Sequence, residues 1–107
     1  MGYYMLQAGY AAPSLASQMK KREDVVKRTG ALIESLGGKL LCCYYAFGEY
    51  DLIQIIEMPD NISAAALSLV AVSGGALRTA KTTVLMSVDE GMAALKKATT
   101  VKYAPPL

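Results

Sequence analysis

Leu40 to Met58, LLCCYYAFGEYDLIQIIEM, is the stretch that most restricts what this chain can fold into. Two apolar runs, Leu40 to Phe47 and Tyr50 to Ile56, flank Gly48-Glu49, a glycine-containing loop of the length that closes a β-hairpin. Successive side chains of a strand point to opposite faces. In the second run one face carries Tyr50, Leu52, Gln54 and Ile56, and the other Asp51, Ile53, Ile55 and Glu57. Both faces are apolar at their centres, whereas a hairpin with one wet face alternates apolar and polar residues. The sequence therefore predicts a sheet covered on both sides.

The remaining elements follow from periodicity and punctuation. Tyr3 to Ala11 alternates modestly and reads as strand one. Ser14 is a candidate N-cap after Pro13. From Leu15 the apolar positions recur at helical spacing through Met19, Val25 or Val26, Thr29, Ile33 and Leu36. One amphipathic helix is expected over this span, with Lys20 to Arg28 on its wet side and Gly37-Gly38 ending it. Pro59 stops the hairpin. Asp60 caps a second helix, Ile62 to Val72, which ends at Gly74-Gly75. A threonine- and valine-rich last strand runs from Leu77 to about Ser87. Asp89-Glu90 then opens a short helix to Ala98, with acid first and base last as the helix dipole favours. One domain over residues 1–98 is expected, with 99–107 as a tail or arm.

The order is β-α-β-β-α-β plus a terminal helix. It predicts an α+β, ferredoxin-like fold with a four-stranded antiparallel sheet and helices on one face. The other face has no cover within the chain, and a large exposed apolar sheet face is not tolerated in a soluble monomer. Two sheets packed face to face in a homodimer resolve this. The apolar fraction, 53% against a norm of about 45–50%, fits further surface buried in an oligomer. No charged residue falls between Asp60 and Arg78, so helix two lacks a charged outer side. Either an alanine-rich helix tolerates exposure there, or a second contact makes more than a dimer.

Gly48-Glu49-Tyr50-Asp51 carries a resemblance. The stretch LGGKLLCCYYAFGEYDLIQIIEMPDN, the alanine-rich helix after it and Gly75-Ala76-Leu77-Arg78-Thr79 resemble the GYD domain family over roughly residues 3 to 98. That family is similar in fold to dimeric α/β barrels, which include muconolactone isomerase-like and cofactor-independent monooxygenase-like proteins. The resemblance implies fold and dimerisation. The doubled cysteine in strand two departs from it and has no assigned role.

Composition removes most chemistries. There is no histidine, so the commonest metal ligand and general base are missing. Cys42 and Cys43 fall on opposite strand faces, which makes neither a disulfide nor a zinc site. They read as reduced and buried, hence as a cytoplasmic protein. Met1 to Tyr10 lacks the features of a signal peptide, and no apolar run approaches the ~20 residues needed to span a membrane. A net charge of +2 and the mixed signs of Lys20 to Arg28 argue against nucleic acid. RNA-binding modules of this topology place stacking aromatics on strand three, and Asp51 to Ile56 has none. Neither metal nor cofactor is expected.

Seven tyrosines against one phenylalanine remain, six of them in the first half. They read as strand and interface residues, or as the lining of a pocket for a flat small molecule. Strands one and three are expected to run parallel, which would bring Asp51 near Tyr3 and Tyr4. An Asp just after a turn also bonds backbone N–H groups there, and its place favours that structural role. Arg78 is expected at the opposite end of the sheet, paired with Glu57 or meeting a ligand anion. The ligand-binding candidates are thus Gln7, Tyr45, Tyr50, Asp51 and Arg78. The expected function is a homo-oligomeric small-molecule-binding or assembly protein. The alternative is a cofactor-independent isomerase or monooxygenase with a tyrosine-lined pocket, where a Tyr or Asp51 serves as acid or base. A solvent-connected cavity between sheet and helices separates the two, if Tyr45, Gln7 or Asp51 points into it.

Overall fold

The computed structural model describes residues 1–106. Its elements run β1 (Gly2–Tyr10), α1 (Ala12–Lys20), α2 (Val25–Ser35), β2 (Lys39–Tyr45), β3 (Leu52–Met58), α3 (Asn61–Ser73), β4 (Leu77–Leu85) and α4 (Val88–Ala98). The four strands form one sheet in the order β2-β3-β1-β4. Every neighbouring pair is antiparallel, so the ferredoxin-like arrangement is the one observed.

One orientation is corrected. β1 and β3 run antiparallel, with Gly2 opposite Met58 and Ala8 opposite Leu52. The reason is topological. The helical crossover returns β2 parallel to β1, and the hairpin then reverses β3. Asp51 therefore lies beside Tyr10 at the far end of β1, not beside Tyr3 and Tyr4. Arg78 starts β4 at this same end, while Glu57 sits opposite Tyr3 and Lys39 at the other.

The expected single long helix is two. Asp24 adopts an extended conformation, and its Oδ1 accepts from the backbone N–H groups of Val26 at 3.0 Å and Lys27 at 3.3 Å. A capped N-terminus restarts the helix inside the charge run. α1 begins earlier than Ser14 suggested, from Ala11, with Pro13 in its first turn, where a missing N–H costs nothing. α2 closes through Gly37, whose φ of +83° is left-handed; Gly38 N donates to Ile33 O at 3.0 Å. Asp60 caps α3 as expected, accepting from Ser63 N at 2.7 Å, and this bond lowers its pKa.

Helices cover one sheet face only. There Tyr4, Ile33, Ile56, Met58, Ala64 and Leu67 form the main core, and Tyr10, Val25 and Leu52 a smaller one. β3 alternates strictly: Leu52, Gln54, Ile56 and Met58 are buried, and Ile53, Ile55 and Glu57 are half-buried on the open face. A bulge at Leu41 shifts the β2 register between Leu40 and Cys42. Cys42 therefore faces away from the helices and is exposed, which corrects its expected burial. Cys43 lies on the helix side, and both thiols are free.

The hairpin loop is wider than Gly48-Glu49. It spans Ala46 to Asp51 and is closed by Ala46 N donating to Asp51 O at 2.8 Å. At the other end of the chain, Ser87 leaves the last strand and caps α4 in a reciprocal box with Glu90. α4 buries no residue, and Val88, Met92 and Leu95 are exposed. A compact chain of this length has a radius of gyration near ~13 Å. The observed 17.2 Å reflects this helix and the residues after it standing away from the sheet.

Candidate functional site

α2 packs mainly on β2 at one sheet edge, and α3 on β4 and β3. Between the two helices, over the central strands, lies a cavity of about 220 Å³ that opens to solvent. Leu6, Leu32, Leu67, Ala71, Leu77 and Ala80 are among its apolar lining residues, and Tyr10, Arg28, Thr29, Gln54, Ser68 and Thr82 among its polar ones. Gln54 is 4% exposed, and its amide nitrogen is fully engaged. It donates to Thr29 Oγ1 at 2.8 Å and to Cys43 Sγ at 3.4 Å. Thr29 in turn donates to Val25 O at 2.7 Å. This chain of bonds fixes the α2 side of the wall.

Tyr10 is different. It is 5% exposed, and its hydroxyl is the one buried side-chain oxygen or nitrogen without a hydrogen-bond partner among the described residues. Burial raises its pKa above 10.0, with Tyr45, Cys43 and Asp51 adding to the rise and the Arg28 guanidinium opposing it. The phenol is a protonated donor at neutral pH. A buried hydroxyl without a protein partner costs about 1–3 kcal/mol. Tyr10→Phe should therefore raise the stability of the ligand-free protein by about 1 kcal/mol, read from the urea midpoint. The pH dependence follows the same group. A folded pKa above the unfolded value keeps stability intact below pH 10.0 and loses it as pH rises through the folded value. The phenylalanine variant should lack that part of the alkaline loss.

At the end of β1 the hairpin loop is bound to the sheet. Asp51 Oδ2 accepts from Tyr10 N at 2.8 Å, and Asp51 N donates to Ala8 O at 2.9 Å. Arg78 occupies a register irregularity in β4. Its guanidinium lies 3.6 Å from Asp51 Oδ2 and donates to Glu49 O at 3.0 Å. It crosses so close over Gly9 that a Cβ there would meet Arg78 Cζ at 2.6 Å. Gly48-Glu49-Tyr50-Asp51 is thus the element that ties three strands together at one end. The family model described as the GYD domain matches residues 4–95. The chain belongs to the GYD domain family. No curated protein matches it closely enough to be named as a relative.

Within this GYD domain the five candidate residues are dispersed. Asp51 and Arg78 meet, in the structural clamp just described. Gln7 borders the cavity as part of β1, but it pairs with Ile53 and Lys81, so its side chain lies on the open face. Tyr45 is 58% exposed at the end of β2, and Tyr50 is half-buried in the loop; neither lines the cavity. Of the tyrosines, only Tyr10 does, among the described residues. The cavity residues Arg28, Thr29 and Gln54 were overlooked, although Gln54 gave a signal as the one polar interruption of the apolar hairpin. Among the described residues, no three His, Cys, Asp or Glu side chains are grouped to hold a metal ion. No described helix is long and apolar enough to cross a membrane.

The open sheet face of the GYD domain is apolar along its middle. Tyr3, Met5, Tyr44, Ile53, Ile55 and Leu85 share it by register, with Cys42, Gln7, Lys81 and Thr83 among them. Tyr44 is 68% exposed and Tyr3 42%. α3 adds exposed Ile62, Leu69 and Val70 on its outer side.

Proposed function

We propose that this GYD domain is a homodimeric small-molecule-binding protein of the cytoplasm, its open sheet faces packed together and its cavity occupied by a compact, largely apolar ligand. The observation that carries the binding reading is the solvent-connected, largely apolar cavity between the helices and the central strands, with Arg28, Thr29 and Gln54 among its lining residues. Ligand sites are concave, mostly apolar and provided with a few polar groups. The dimer reading rests on the uncovered row of Tyr3, Met5, Ile53, Ile55 and Tyr44, a patch that monomers rarely expose. Two free cysteines accord with a reducing compartment. The enzymatic alternative has weaker support. Tyr10 holds its proton, no carboxylate or imidazole is among the lining residues, and Asp51 lies outside the wall, engaged by Tyr10 N and Arg78.

Two measurements test this reading. Sedimentation at micromolar concentration should give a dimer or larger assembly, and Ile55→Lys should shift it to monomer; a monomeric parent protein would overturn the face-to-face arrangement. Apolar cavities take up benzene. Titration with benzene should shift the methyl resonances of Leu32, Leu67 and Ala71, and Ala71→Phe should abolish the response without altering assembly. Silent resonances in the parent protein would remove the ligand site.

A further inference from the structure

Charge is distributed unevenly around the cavity. Of its wall residues only Arg28 and Lys81 carry charge, and Lys81 faces the other side of the sheet with Gln7. Arg28 also borders a second, polar depression, made with Ser14, Ser17, Gln18, Lys21 and Glu23 where α1 meets α2. It thus stands between an apolar chamber and a polar, partly basic mouth. Its own partner is weak. Glu23 lies 3.6 Å away, both side chains are about half exposed, and such pairs contribute little. Tyr10 and Arg28 both line the chamber, but the Tyr10 hydroxyl is fully buried, so Arg28 is the cation that the chamber offers to an anion. Gln54 and Thr29 have committed their donors to each other, to Cys43 and to Val25.

Size narrows the ligand further. A cavity of about 150 Å³ admits benzene, and drug-sized ligands fill roughly 300–1,000 Å³. About 220 Å³ suits one ring, or a short aliphatic chain, with a small substituent. We propose that the ligand is a compact amphipathic monocarboxylate, its apolar body against Leu32, Leu67 and Ala71 and its carboxylate at Arg28. This rests on the reading of the cavity as a ligand site. Arg28 is about half exposed, so a carboxylate beside it avoids the cost of full burial. Arg28 exchanges an exposed intramolecular pair for a charge-assisted one with the ligand.

The test compares phenylpropionate with phenylpropionamide by calorimetry on the full chain. The carboxylate is expected to bind at least about tenfold more tightly than the amide. Arg28→Gln should erase that preference, and Arg28→Lys should keep part of it. Equal affinities, or a preference that survives Arg28→Gln, would overturn the carboxylate assignment. Binding of neither probe, with benzene still shifting the cavity resonances, would also overturn it and leave the cavity reading standing. If benzene is silent as well, both fail.

Discussion

Gly38→Ala is expected to destabilise the fold by about 3 kcal/mol or more, the upper end of overpacking effects. The added methyl has no free direction. A Cβ at Gly38 would overlap Met58 Sδ, lie 2.5 Å from Glu57 O and 3.0 Å from Ile33 Cγ2. Met58 is 0% and Ile33 1% exposed, so neither side chain can withdraw into solvent. Glu57 O belongs to the backbone of β3, where Lys39 pairs with Glu57, so relief means moving the ladder. Gly30→Ala is the control. Gly30 lies within α2 with nothing within 4 Å of its Cβ position, and alanine there should stabilise by about 0.5–1 kcal/mol. Urea denaturation of the pair reads both signs. If the two variants shift the midpoint alike, helix propensity and not close approach governs this junction.

Asp51→Ala is the second large effect, expected at about 2–3 kcal/mol, because it removes a charged acceptor from the Tyr10 N–H. The ion pair with Arg78 adds less. At 3.6 Å, with Arg78 47% exposed, it is worth under about 1 kcal/mol. Arg78→Ala should accordingly cost well under half of what Asp51→Ala does, and Asp51→Asn should recover part of the loss by keeping an acceptor oxygen. An Arg78→Ala variant as unstable as Asp51→Ala would put the ion pair, and not the backbone hydrogen bond, at the centre of the Gly-x-Tyr-Asp element.

How far the sequence was informative depends on whether a feature leaves a periodic trace. The strands, α3 with its Asp60 cap and the terminal helix all do, through alternation, helical spacing or punctuation. The break at Asp24 does not. In Lys20-Lys21-Arg22-Glu23-Asp24 every residue is solvated, so no apolar stripe is interrupted when the helix stops and restarts. The bulge at Leu41 is equally silent, since six successive residues from Leu40 to Tyr45 suit either face. Misplacing Asp51 had a different origin, a wrong strand direction, and it carried Arg78 with it. Of the candidate residues, Tyr45, Tyr50 and Asp51 are polar groups near the turn, and Gln7 and Arg78 belong to strands one and four. The cavity instead draws on a core phenol, a helix-facing glutamine and an arginine that reads from sequence as part of a solvated face. Gln54 was the readable one, because a polar side chain in a buried register must find partners, and those partners are Thr29 and Cys43.

The bulge at Leu41 makes the length of β2 matter more than the identity of most of its residues. If the same residues ran without that irregularity, strict alternation from Leu40 would turn Cys42 and Tyr44 beneath the helices and send Cys43 and Tyr45 outward. Deleting Leu41 alone would remove the bulge and leave these four side chains on their present sides, whereas closing the bulge with every residue kept would exchange all four between the two sides of the sheet. Homologous chains that differ by one residue in this strand should be compared in two frames, before and after the bulge. Aligned in one frame, residues that face the helices would be equated with residues that face away from them.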